Sequence, residues 1–266
     1  MTNKTLLIDG DWLCYKAAAA VETEFEWAED QWTLTSDVAE ATGLVVSWIN
    51  AWAARIAEDK EELVDPRILL SDPSGHYFRH DIYPQYKGNR KGKRKPVCYK
   101  ALVDRVRKHS ISTPWRHNLE ADDLMGIYAT NGKYDHPVIV TIDKDLDTVP
   151  GWHYNPDKDK LYQVSPEEAK RNHMFQTLVG DATDGYKGCP GVGPVKASKI
   201  LEARDREAAP LMGVSEDALR WASIDLTFED AGIPTDEANI QAQLAYILQD
   251  GDYDFETGEV KLCQWM

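Results

Sequence analysis

Three short apolar runs in this 266-residue chain each end in aspartate: "TLLIDGD" at 5–11, "RILLSD" at 67–72 and "PVIVTIDKD" at 137–145. Brief apolar runs without polar alternation read as strands buried on both faces, the pattern of a parallel sheet covered by helices. Between the first two runs, Ala41, Leu44, Val45, Trp48, Trp52 and Ile56 recur at helical spacing and predict a crossover helix packed on that sheet. Residues 97–109 alternate apolar and basic positions in a helix-compatible way, and "NLEADDLMGIYAT" predicts a helix with Asn118 as its N-cap. The order strand, helix, strand, basic excursion, helix, strand defines an α/β fold. After Gly151 the pattern turns helical and irregular, and the C-terminal stretch suits a small hairpin turning at Thr257 and Gly258.

In an open parallel sheet, ligands sit beyond the carboxyl ends of the strands, and that is where the acids fall. Asp9, Asp72, Asp143 and Asp145 terminate the three runs, the last two on one side of their strand by period two. Glu120, Asp122 and Asp123 occupy one helical turn, and Asp181 and Asp184 lie three apart further on. Each group has a plain structural reading as well: acids favour helix starts, and strand-end aspartates cap turns. Nine carboxylates in one cleft would raise each other's pKa unless cations intervened. Hard oxygen donors without His or Cys favour Mg²⁺, with Mn²⁺ as a substitute, over zinc. Asp147 reads as a solvated surface acid, and Asp11 fits either reading.

The net charge of −15 would discourage a polyanionic partner, but it hides an island. From Lys87 to Lys108, ten of twenty-two residues are Lys or Arg against the single acid Asp104, which leaves the remainder at −24. The alternative is a solvated charged loop. Within it, "KGNRKGKRKP" combines like charges, two glycines and a proline, which oppose a firm helix. The stretch "GCPGVGPVKASKIL" supplies Gly188, Gly191 and Gly193, where backbone can approach a phosphate, and Pro194 to open a helix carrying Lys196 and Lys199. Preceded by the acids, it reads as a clamp on a DNA backbone that ignores base sequence. The four cysteines form no C-x-x-C pair, which suggests reduced thiols, and the aspartates near the N-terminus suit no signal peptide. The expectation is an intracellular, cytoplasmic protein without a membrane partner.

Taken in order, "LLIDGD", "LLSD", "YPQYKGNR", "LEADDLMG", "TIDKDLD" and "GDATDGYKGCPGVGPVKA" resemble the 5′ nuclease superfamily, and above all the 5′-to-3′ exonucleases of short-tailed bacteriophages. The resemblance runs from about residue 5 to 205. It implies a PIN-like α/β domain over residues 1–180, with a basic arch at about 84–116, and a helix-three-turn-helix DNA-binding region with a C-terminal extension over 181–266. It implies one metal site at Asp9, Asp72, Glu120 and Asp122, a second at Asp143, Asp145, Asp181 and Asp184, and Asp123 between them. Lys87 and Arg90 would contact the scissile phosphate and Tyr86 would stack near the terminal nucleotide. Lys91, Lys93, Arg94 and Lys95 would line the arch, and carbonyls of the glycine hairpin could hold K⁺. The implied enzyme is a monomeric exonuclease or flap endonuclease acting near 5′ ends of duplex DNA with two Mg²⁺, and RNA–DNA hybrids are a candidate second substrate. Primer removal in phage DNA replication or degradation of host DNA would be its setting.

Two other readings fit parts of the sequence. The D-x-D of "LLIDGDWL" and the later "GDATD" resemble a haloacid-dehalogenase-type phosphatase, which has no use for the basic island or the glycine hairpin. A non-catalytic DNA-binding scaffold would set nine carboxylates against a polyanion without metal.

Overall fold

The three acid-terminated runs pair side by side. In the computed structural model, which describes residues 3–57, 63–90, 92–202 and 215–262, strand β1 (Lys4–Asp9) lies between two parallel neighbours. A hairpin intervenes in sequence, with β2 (Thr23–Ala28) antiparallel to β3 (Gln31–Thr35). The neighbours of β1 are β4 (Val64–Leu69) and β5 (Pro137–Val140), with Ile8 level with both Ile68 and Val140. Two further strands, β6 (Gly151–Asn155) parallel to β5 and β7 (Lys160–Val164) antiparallel to β6, complete a sheet of order β4-β1-β5-β6-β7.

Period-two alternation sends Leu6 and Ile8 to one face and Leu7 to the other, and all three are fully buried. On the first face they meet α1 (Gly10–Ala20), the crossover helix α2 (Val38–Ile56), and, after the short α3 (Phe78–Ile82), helix α4 (Tyr99–Arg107); Val45, Ile49, Trp52, Leu102 and Val106 fill that layer. On the second face Leu7 and Leu69 pack with Leu124, Ile127 and Tyr128 of α5 (Ala121–Thr130) and with Leu248 near the C-terminus. Gly10 is required where α1 leaves β1: a Cβ there would lie 2.5 Å from the carbonyl oxygen of Leu69. Bare backbone at that point lets β4 run close enough for the Ser71 N–H of its trailing loop to reach Asp11 at 3.2 Å.

The remaining helices, α6 (Pro166–Val179), α7 (Pro194–Glu202), α8 (Glu216–Asp230) and α9 (Thr235–Ala245), enclose a separate cluster of Met174, Leu178, Val192, Leu201, Ile224 and Phe228. The cluster draws on α6, before residue 181, as well as on the three later helices. No described helix is long and apolar enough to cross a membrane.

Several expectations need correction. Residues 151–164 form strands rather than helix, because Trp152, Tyr154 and Tyr162 carry a β preference that the interspersed Asn155, Asp157 and Asp159 obscured. Helix α5 begins after Glu120 and not after Asn118, which adopts φ 61° and donates its N–H to Asp72 Oδ2 at 2.9 Å. Asp143 and Asp145 do not share a strand face: the strand ends at Val140, and Asp143 caps a 3₁₀ turn over Lys144–Thr148 by accepting the Asp145 N–H at 2.9 Å. The C-terminal hairpin is reduced to one bridge between Tyr253 and Val260 around Gly258, at φ 77°.

Candidate active site

Asp9, at the end of β1, caps α1 by accepting the Trp12 N–H at 3.1 Å, and Thr141 Oγ1 donates to its second oxygen at 3.3 Å. Glu120, Asp122, Asp143, Asp145 and Asp184 line one cleft at this end of the sheet, together with Arg79 and Tyr86. Burial raises the Asp9 pKa to about 7, reinforced by the charges of Asp11 and Asp143. Burial also raises Asp122, with Asp9 and Asp143 adding to it. Withdrawal from bulk water raises Asp143, and raises Asp145 to about 7 with the help of Asp143 and Asp181. Asp181 is held by accepting the Thr183 and Asp184 amides at 2.6 and 3.1 Å, and Gln176 of α6 donates to Asp145 at 2.8 Å. Loss of hydration is the larger cause at Asp9, Asp122, Asp143 and Asp145, and the crowding of anions adds to it.

Glu120 is the exception. Burial would raise it, but the Lys87 ammonium and the Arg79 guanidinium outweigh burial and bring it down to about 2. Lys87 Nζ binds Glu120 Oε1 and stands 3.5 Å from Asp184. Arg90 Nη2 reaches Asp184 at 2.5 Å, and the Tyr86 hydroxyl lies 3.0 Å from Glu120 Oε2 and 2.9 Å from Asp184 Oδ2. The Lys87 backbone sits in the left-handed region, at φ 52°, and its N–H donates to the Asp184 carbonyl at 2.7 Å. A lysine held there costs about 1 kcal/mol or more, strain of the kind that collects at functional sites. Asn89 and Arg90 donate to the carbonyls of Ala182 and Thr183, so the foot of the basic excursion is fastened to the loop that carries Asp181 and Asp184.

Several expected roles are displaced. Asp123 is fully buried, and both its oxygens accept from Arg79 at 2.8 Å, leaving nothing for a cation between the sites. Asp72 is engaged by backbone, accepting the Ser74 amide of its own loop at 2.8 Å and the Asn118 amide ahead of α5 at 2.9 Å. Tyr86 is buried with Tyr186, Leu244 and Ala245, so its ring offers no face to a nucleotide and its hydroxyl bridges two carboxylates instead. Among the described residues no three acids, imidazoles or thiols converge closely enough to hold an ion as they stand. Glu120 and Asp184 are instead held by Lys87 and Arg90.

Arg94 is engaged by Glu22 at 2.6 and 2.9 Å, while Lys93 and Lys95 are exposed; Lys91 lies outside the described residues. A 3₁₀ turn over Gly88–Arg90 is the only helical element described between Ile82 and Tyr99, in keeping with the glycine-rich composition. Gly191, Gly193, Lys196 and Lys199 are exposed, and Pro194 opens α7. Gly188 has another task. At φ 62° it is buried against Gly180, and a Cβ on it would lie 2.4 Å from the Gly180 nitrogen, so it closes the turn and is not open to phosphate. Gly188→Ala should therefore lower stability in urea titration by about 2 kcal/mol or more, against about 1 kcal/mol for Gly191→Ala, which meets nothing within 4 Å. Equal losses would remove the distinction.

The carboxylates predict an unusual pH dependence. Asp9 and Asp145 ionise near pH 7 when folded but near 3.8 when unfolded, so the folded state retains protons between those values and loses stability as pH rises through them. A three-unit shift is worth roughly 4 kcal/mol per group before coupling. Glu120 acts oppositely, its contribution being lost as pH falls through about 2. Cation-free protein should thus melt several degrees lower at pH 8 than at pH 5, and a divalent cation should close that gap. A melting temperature that rises steadily to pH 8 without cation would contradict the cleft electrostatics.

Arg79, Gln176 and Thr141 escape a sequence reading.

An α/β sheet whose strand ends gather carboxylates, faced by a lysine and an arginine from a basic excursion, defines a phosphodiester-cleaving class of protein. The sequence model of the 5′-3′ exonuclease N-terminal resolvase-like domain matches residues 4–155, more than half of the chain, and the chain belongs to this 5′-3′ exonuclease family. It is similar to the exodeoxyribonuclease of Enterobacteria phage T3, at 30% identity over 97% of this chain and 91% of that protein. The exonuclease of Escherichia phage T7 is 29% identical over 97% of this chain and 92% of its own length. In fold it is similar to the phage T5 D15 protein co-crystallized with metal ions, with TM-score 0.55 and 16% identity over 91% of this chain and 97% of that one. The function is that of a 5′-to-3′ nuclease. The family match replaces the phosphatase alternative, and Asp11 of its D-x-D is half-buried, with its carboxylate accepting the Ser71 N–H at 3.2 Å.

Proposed function

We propose that the chain hydrolyses phosphodiester bonds near the 5′ ends of duplex DNA, as an exonuclease and on 5′ flaps, with two divalent cations. The observation that carries this reading is the cleft itself: five carboxylates, several with raised pKa values, facing Lys87 and Arg90. The donor set is all hard oxygen and short of compensating positive charge, which fits Mg²⁺ or Mn²⁺. Asp9, Glu120, Asp122 and Asp143 would hold one ion, and Asp145, Asp181 and Asp184 the other, with Asp143 near both. When bound, the ions supply Lewis-acid activation of water and stabilisation of the leaving oxygen.

This chain's residues do the rest. Lys87 and Arg90, now on Glu120 and Asp184, lie where a scissile phosphate would compete for them, and transfer to it would neutralise charge that builds on phosphorus oxygens. Tyr86 keeps Glu120 and Asp184 in register. Lys93, Lys95 and, once released from Glu22, Arg94 would follow the 5′ strand. At the other side, the exposed Gly191 and Gly193 and the first turn of α7 with Lys196 and Lys199 would grip the duplex backbone, with K⁺ at the hairpin carbonyls. The T5 flap endonuclease, similar in fold at TM-score 0.51, has been solved as a pseudo-enzyme-product complex with DNA and metal ions, which supports a DNA substrate. Rates on nicked duplex, 5′-flap, RNA–DNA hybrid and single strand in Mg²⁺ and Mn²⁺ test the proposal. Preference for single strands over every duplex form would count against it.

A further inference from the structure

We propose, on the nuclease reading above, that Arg79 is a positioning residue that aims Glu120, and that the C-terminal strap at residues 244–248 belongs to the same device. Arg79 lies in α3 and is 1% exposed. A guanidinium has five N–H groups in a rigid planar fork, and all five have acceptors. Nη1 donates to Glu120 Oε2 at 2.9 Å and Asp123 Oδ2 at 2.8 Å. Nη2 donates to Asp123 Oδ1 at 2.8 Å and the Tyr246 carbonyl at 2.6 Å, and Nε donates to the Leu244 carbonyl at 3.1 Å. The Phe78 ring covers one face of the fork, 4.5 Å away.

Burying such a charge is costly even when it is paired, and apolar residues of similar volume often stabilise a fold as well or better. What an apolar side chain cannot supply is direction. Asp123 takes the Arg79 fork on both oxygens, and also accepts the Glu120 N–H at 3.2 Å and the Leu248 N–H at 3.3 Å, so it is an anchor with no oxygen to spare. The anchored fork then fixes Glu120 Oε2, while Glu120 Oε1 is left toward Lys87 and the cleft. The strap contributes two carbonyls to the fork and one amide to its anchor, closing a ring from α3 through the start of α5 to the end of α9 and the residues that follow it. The last part of the chain, beyond the residues that match the family's N-terminal domain, thereby reaches the catalytic cleft, where Leu244, Ala245 and Ile247 form part of the wall.

Arg79→Lys keeps the charge and loses the fork. It should fold, bind a 5′-flap duplex in Ca²⁺ within about threefold of wild type, and cleave about 100-fold more slowly in a single turnover at saturating Mg²⁺. Tb³⁺ luminescence should show its cation midpoint raised about tenfold, a readout independent of turnover. Combining Arg79→Lys with Asp123→Asn should cost little more than either alone, since both break one unit, whereas an independent ligand role for Asp123 would multiply the losses. Cleavage within about threefold of wild type, or DNA affinity lost in parallel with rate, overturns the assignment. So does failure of both Arg79→Lys and Arg79→Gln to fold, which would make the residue a pillar of the structure alone. A wild-type chain that binds Tb³⁺ yet cleaves no DNA would instead refute the nuclease reading, and the Tb³⁺ midpoint of Arg79→Lys would still decide the positioning role.

Discussion

Asp145→Asn and Asp181→Asn should each abolish cleavage while leaving DNA affinity at wild-type strength or above it. Each replaces a proposed cation ligand by an amide of the same shape and removes a negative charge from a cleft that must admit phosphates. Both side chains are already organised by neighbours, Asp145 by Gln176 and Asp181 by the amides of Thr183 and Asp184, so the fold should tolerate the change. Asp145 has a raised pKa, so its neutral analogue relieves repulsion and should stabilise the cation-free protein at pH 8. Lewis-acid assistance worth several kcal/mol corresponds to a loss of roughly three orders of magnitude in single-turnover rate. Retention of cleavage within a few-fold at saturating Mg²⁺ would remove both residues from the cation site.

Lys87→Ala and Lys196→Ala should separate chemistry from grip. Lys87 is withdrawn from solvent among Glu120, Asp184 and the Tyr86 ring, which is 5.1 Å from its ammonium, and its proposed contact forms on the reacting phosphate. Its loss should lower the single-turnover rate by about 100-fold or more while affinity changes by less than about threefold. Lys196 is exposed on the first turn of α7, does not line the cleft, and touches backbone phosphate alone in the proposed complex. Its loss should weaken binding by a few-fold, lower the salt slope by about one, and spare the rate at saturation. Matched effects of the two substitutions on rate and affinity would contradict this division.

The legible parts of this molecule were those in which one physical requirement writes one pattern. Strands buried on both faces must be apolar throughout, so β1, β4 and β5 stood out, and an aspartate ending a central strand marked the cleft before any neighbour was known. The β6–β7 hairpin was less visible because its turn is crowded with Asn155, Asp157 and Asp159, and β2–β3 because all but one of its residues are exposed, so neither face had to be apolar. Within the site, residue types pointed to cations, but the partition among nine acids depends on direction, which spacing does not encode. Asp122 and Asp123 are adjacent in sequence, yet one faces the cleft and the other is saturated by an arginine more than forty residues earlier. Tyr86 and Gly188 likewise fit a DNA contact by residue type and were placed otherwise by packing.

The most direct test of the central claim is product sizing on one nicked duplex labelled at the 5′ end of the downstream strand, and on a second copy labelled at its 3′ end, with and without Mg²⁺. Directional hydrolysis from the 5′ end predicts mononucleotides or short oligomers from the 5′ label at the earliest times. The 3′-labelled strand should shorten stepwise from its far end, and neither reaction should proceed in EDTA. Release of short products from the 3′ label first, or equal cleavage with and without the cation, would contradict the account.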